Sequence, residues 1–103
     1  MRMKISENNS DGLVTTFYLT NLVDGDYSKP HDEIDFEFIL TKGILLQTNL
    51  FSNDRGNREQ RFHLWFDPSK DFHTYEILWN YQQIVFFVDK IPIRHHLSPI
   101  VKI

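Results

Sequence analysis

Glu33, Asp35 and Glu37 stand two residues apart in the run His31-Asp32-Glu33-Ile34-Asp35-Phe36-Glu37-Phe38. Strict alternation of apolar and acidic residues is the mark of a half-buried β-strand. With Ile34, Phe36 and Phe38 turned to a core, the three carboxyl groups leave from one face. Like charges there repel and weaken the strand, so a chain that keeps them has a use for them. Paired carboxyl groups about 5–5.5 Å apart cleave glycosidic bonds with retention, one as nucleophile and one as acid/base. The Cα atoms of Glu33 and Glu37 lie roughly 13 Å apart on an extended strand. Inward-leaning side chains on a concave sheet close that gap. Asp35, between them, can hydrogen-bond one Glu and disfavours joint ionisation of its neighbours. Two other readings stand beside this one. The run is an ordinary charged outer face, or His31 and the carboxylates hold a divalent metal. Ligands strung along one flat strand surround an ion poorly.

The elements that would position these groups are strands. Apolar spacing is period two or continuous almost throughout, and no segment reads as a helix. Strands are expected over Met1–Ile5, Leu13–Leu19, His31–Leu40, Ile44–Phe51, Glu59–Phe66, Thr74–Asn80, Ile84–Asp89 and Ile91–Arg94. Turn clusters separate them: Asn8–Gly12, Asn21–Pro30, Thr41-Lys42-Gly43 and Ser52–Asn57. Gln47 and Asn49 share a face by parity, as do Tyr75 and Trp79, and Pro92 marks an edge or a bulge. Arg61, His63 and Trp65 share a side that is either a cleft face or a second buried layer. Residues 95–103 read as a weak tail. Many short antiparallel strands joined by turns indicate an all-β sandwich or jelly roll.

Composition narrows the function classes. One domain is expected from 103 residues. The net charge of −3 gives no support to nucleic-acid binding, and Arg94-His95-His96 is too small a basic cluster for a phosphate-tracking surface. There is no cysteine, hence no disulfide framework or thiolate chemistry. No apolar window is long enough for a membrane helix. Met1–Ile5 gives way to polar residues at Ser6, so no signal peptide is read, and Asn8-Asn9-Ser10 is a glycosylation sequon. Aromatic residues make up 15% of the chain, a content that suits strands and a sugar-stacking cleft.

HDEIDFEF closely resembles the catalytic strand of glycoside hydrolase family 16, in particular of the plant xyloglucan endotransglucosylase/hydrolases. SDGLVTTFYLT, LQTN, NREQRFHLWFDPSKDFHTYEILWN and IVFFVDKIPIR follow the same pattern in the family's order, over roughly residues 1–94. The resemblance implies a partial antiparallel sandwich, a concanavalin-like jelly roll with a concave substrate-binding sheet, spanning residues 1–103. It makes Glu33 the nucleophile, Glu37 the general acid/base and Asp35 the helper between them. It makes Gln47 and Asn49 cleft residues that bond sugar hydroxyls, sets Arg58, Glu59 and Gln60 along the cleft border, and brings Tyr75 and Trp79 near the reacting sugar. His63 and His73 are expected to be structural histidines.

The implied activity is a retaining glycosidase or transglycosylase that cleaves and religates β-1,4-glucan of the xyloglucan type in the plant cell wall, without a cofactor or metal. The implied partner is polysaccharide, with no nucleic acid and no membrane. Departures from the pattern keep an alternative beside this reading, a non-catalytic or inactive fragment that is at most a glucan-binding module. The early strands and the C-terminal extension of the family are not found, the turn after Phe38 is shortened, with ILTKG in place of the family's Leu-Gly-Asn start and its sequon, and NLVDGDYSKP expands the loop before His31.

Overall fold

The computed structural model describes residues 1–5, 14–20, 31–41, 43–52, 55–80 and 82–97. The expected turn at Asn8–Gly12 with its sequon, the loop at Asn21–Pro30 and the tail from Ser98 lie outside these. The described residues form eight strands: β1 Arg2–Met3, β2 Val14–Thr20, β3 Glu33–Thr41, β4 Gly43–Phe51, β5 Gln60–Phe62, β6 His73–Trp79, β7 Gln83–Val88 and β8 Ile91–Leu97. They make two antiparallel sheets, ordered β2-β3-β4-β5 and β1-β6-β7-β8.

The alternating apolar residues of β3 account for the way these sheets meet. Ile34, Phe36 and Phe38 are fully buried together with Leu46 and Leu50 of β4. They pack on Tyr75 of β6 and on Ile84, Phe86 and Val88 of β7. Phe36 meets Phe86 edge-on at 5.2 Å and Tyr75 at 5.9 Å, and Phe38 meets Tyr75 at 4.9 Å. Each such side chain contributes about 1.5–3 kcal/mol of burial, and each aromatic pair about 0.5–1.5 kcal/mol more. This interlayer cluster fixes which side of β3 is inside, and the other side is left to the carboxyl groups.

Two tight hairpins set the registers. β3 and β4 pair from Glu33↔Phe51 to Thr41↔Gly43. Gly43, at φ 119°, takes a backbone conformation that side-chain-bearing residues rarely adopt. β7 and β8 turn through Asp89 (φ 49°) and Lys90 (φ 67°), two left-handed residues as a two-residue primed turn requires. Asp89 holds this strained turn against β6. Its Oδ1 accepts the Thr74 N–H at 2.9 Å, its Oδ2 lies 2.6 Å from His73 Nδ1, and its own N–H donates to Thr74 O at 2.8 Å.

Several strand limits differ from the sequence reading. β5 pairs only over Gln60–Phe62, not Glu59–Phe66. Past Phe62 the alternation persists without a partner ladder. Leu64 and Phe66 pack against the core, while Arg61, His63 and Trp65 are exposed, so that side is no second buried layer. β8 continues to Leu97, three residues beyond Arg94 and into the segment read as a weak tail. Its pairing with β7 holds that end in place, as Gln83↔Leu97. Pro92 lies on this edge strand beside a β-bulge: Phe87 pairs with Pro92 and Phe86 with Arg94, which leaves Ile93 as the extra residue.

Candidate active site

The acidic face of β3 is completed by its two neighbours. Glu37 stands across from Gln47 of β4 and Thr16 of β2. Asp35 stands across from Asn49 and Tyr18, and Glu33 from Phe51 and Thr20. No carboxylate faces another directly across these paired strands.

The amides are oriented by what holds their oxygens. Arg61 of β5 donates from Nε to Gln47 Oε1 at 2.9 Å. Because a guanidinium only donates, the Gln47 NH2 must turn the other way, and it reaches Glu37 Oε2 at 3.4 Å. Asn49 Oδ1 accepts two backbone N–H groups, from Leu50 at 2.8 Å and from Arg58 at 3.1 Å. Its NH2 is thereby aimed at Glu59 Oε1, 3.5 Å away. His31 lies 3.6 Å from Glu33 Oε1 and stacks on Phe51 with centroids 6.0 Å apart.

These surroundings divide the protonation of the row. Asp35 is 4% exposed, and its Oδ1 has no partner among the described residues. Burial, a hydrogen bond with Glu33 and the charges of Glu33 and Glu37 push its pKa up to about 8. At neutral pH it holds a proton that it can donate to Glu33. Burial also raises Glu37 above the ordinary range. The Gln47 bond pulls it back in part, and the charges of Glu59 and Glu33 push it up further. The face therefore carries one carboxyl group kept neutral, one biased toward its acid form, and Glu33 beside a proton donor. That is the division of labour a two-carboxyl displacement needs. Among the described residues, no three His, Cys, Asp or Glu side chains are grouped to hold a metal ion.

The structure does not bring all the sequence candidates together. Glu33, Asp35, Glu37, Gln47, Asn49 and Glu59 form one connected polar surface. Arg58 does not point its cation there. Its guanidinium donates to the carbonyls of Arg55, Gly56 and Leu50 and ties off its own loop. Tyr75 and Trp79 share a face as parity required, but it is the core face of the other sheet. Tyr75 is fully buried under Phe36 and Phe38, and Trp79 packs against the same cluster. Both lie across β3 from the carboxyl groups, because the row Tyr75, Ile77, Trp79 is the apolar side of β6. His63 is exposed, and His73 is taken up by Asp89 and by a 3.5 Å stack on Phe66.

The sequence reading passed over Tyr18, and placed Arg61 only on a side that is either a cleft face or a second buried layer. Tyr18 is 56% exposed beside Asp35, and the alternation of TFYL with the core residue Phe17 could have found it. The place of Arg61 in the site is found only through the Gln47↔Arg61 register, which depends on a loop.

A family model described as Glycosyl hydrolases family 16 matches residues 1–99. Xyloglucan endotransglucosylase/hydrolase protein 3 of Arabidopsis thaliana is 57% identical over 97 residues, covering 91% of this chain and 32% of that protein. Bacillus licheniformis β-glucanase superposes with a TM-score of 0.79 at 27% identity, over 99% of this chain and 46% of that one. A prokaryotic β-1,3-1,4-glucanase (lichenase) derived from a mouse hindgut metagenome gives 0.76 at 31% identity, over 97% and 45%. The chain spans about a third of the length of the curated relatives it matches. Its two sheets are those of a glucanase jelly roll.

Proposed function

The chain belongs to glycosyl hydrolases family 16, and from that premise we propose that it carries the reacting carboxyl groups of a retaining glycosidase or transglycosylase. The observation that carries this reading is the divided protonation along β3: Asp35 kept neutral, Glu37 raised, and Glu33 hydrogen-bonded by Asp35.

In the first step Glu33 bonds to the anomeric carbon as the bond to the departing chain breaks, and the Glu37 proton passes to the leaving oxygen. The Asp35 proton, directed at Glu33, keeps that carboxylate oriented and is available to follow its loss of charge. In the second step Glu37, now a base, takes a proton from water or from a sugar 4-hydroxyl. The oxygen so freed displaces Glu33. Water gives hydrolysis, and a sugar gives chain transfer. Carboxyl groups alone supply this chemistry. Gln47 and Asn49, with amide groups fixed by Arg61 and by backbone N–H groups, are placed to bond sugar hydroxyls on the same face.

The name of the Arabidopsis relative supports a β-1,4-glucan of the xyloglucan type as substrate, and with it an extracellular setting in the plant cell wall. The test is Glu33→Ala, with depolymerisation and transfer of xyloglucan assayed beside the unaltered chain. Turnover should vanish while folding is kept. Undiminished turnover would remove the nucleophile and the mechanism with it, and glucan binding without turnover in the unaltered chain would leave a binding module.

A further inference from the structure

Arg94 sits in the interlayer space, 8% exposed, and the acidic face is reached from it through three contacts. The bulge at Ile93 places it there: the extra residue brings Arg94 opposite Phe86, on the core face of its sheet. Its guanidinium lies 5.7 Å from the Phe86 ring. One terminal nitrogen, Nη1, donates to Thr48 Oγ1 at 2.8 Å, to Thr48 O at 3.4 Å and to Arg58 O at 2.8 Å. All three acceptors are neutral oxygens. Thr48 lies between Gln47 and Asn49 on β4, and the Arg58 carbonyl belongs to the peptide bond that leads into Glu59. The same Arg58 residue gives its N–H to Asn49 Oδ1.

We propose that Arg94 is a positioning residue that clamps the Arg58–Glu59 segment to β4 from beneath, and so sets how Asn49 and Glu59 stand beside Glu37. A buried cation is a costly filler for an apolar layer, and a Met or Leu would pack there more cheaply. What an apolar residue cannot do is bond a strand oxygen and a loop carbonyl from one nitrogen. The inference rests on the site reading above for its catalytic consequence, and not for its geometry. Glu37 is faced by Glu33 and Asp35 along β3, by Thr16 on β2 and by Gln47 on β4. Arg61 acts on it through Gln47, and Glu59 through its charge. Releasing Glu59 removes one of the negative charges that raise Glu37.

The experiment uses Arg94→Met, which keeps bulk without the donors, and Arg94→Lys, which keeps one donor and the charge. Glu37 and Glu59 are titrated by carboxyl-carbon NMR, and xyloglucan turnover is followed against pH. In Arg94→Met the Glu37 midpoint should fall, and the alkaline limb of the rate profile should fall with it. Turnover should drop by roughly 10- to 100-fold, the scale of a small misplacement transmitted to a reacting group. Arg94→Lys should recover part of each change, and it serves alone if the Met variant does not fold. If the Glu37 midpoint and the rate profile keep their positions while only melting changes, Arg94 is a packing residue and the proposal is wrong. If the unaltered chain turns over no glucan, the reading of the site fails, and the two carboxyl titrations still decide the role of Arg94.

Discussion

Asp35 on β3 and Asp89 at the β7–β8 turn are the same side chain put to opposite uses. Among the described residues Asp35 is buried beside carboxyl groups with no cation or backbone N–H bonded to it, and burial first, then Glu33 and Glu37, drives it up to about 8. At Asp89 burial also pushes upward, but the Thr74 N–H and His73 together outweigh it and hold the carboxylate below its usual range. Depth and donors together decide whether a carboxyl group becomes a fastening or a reagent. The β1-β6-β7-β8 sheet gives its carboxylate donors and gains a turn. On β3 the carboxyl group meets neighbours of like charge and keeps a proton.

The comparison can be broken most directly at Glu37. If it is the acid biased by its surroundings, Glu37→Gln should lower glucan turnover by roughly 10²- to 10⁴-fold while the fold is kept, as loss of a general acid/base does. A small loss would leave the β3 row no more reactive than the β7–β8 turn. Asp35→Asn sharpens the contrast through stability. The native state keeps a proton that the unfolded chain releases near 3.8, so Asp35 erodes stability as pH rises from about 4 to about 8. The Asn variant should lose turnover yet melt higher, by an amount that grows across that window to on the order of a few kcal/mol. Equal melting of both proteins at pH 4 and pH 8.5 would refute it. Asp89→Asn should do the reverse. Its lowered pKa makes its contribution present above about 3.8 and lost as pH falls through the folded value. Denaturant unfolding at pH 7 should show a loss of about 1–2 kcal/mol, the scale of a charged hydrogen bond, with turnover per folded molecule unaltered.

Much of the β3 row could be read from the chain because it is local. Alternation over Glu33–Phe38 fixes a face, and the ladder ending at Thr41↔Gly43 brings Gln47 opposite Glu37 and Asn49 opposite Asp35. Parity tells which residues share a side, but it does not tell which side. Tyr75 and Trp79 were therefore paired correctly and assigned to the wrong surface, since only the opposing layer distinguishes them. Arg58 was set along the cleft border by resemblance to the family, while nearby loop carbonyls take its guanidinium. Arg94 depends on a single extra residue in β8. Pro92 hinted at that irregularity, but a hint of a bulge does not say which neighbour is turned inward.

The β3–β4 ladder runs to the pair Thr41↔Gly43, so its register works as a ruler. Side chains alternate every residue, and a slip of one along this hairpin would present Leu46 and Thr48 to the acids and bury the amides. Change in length at that corner is therefore tolerated only where it keeps Gln47 opposite Glu37 and Asn49 opposite Asp35.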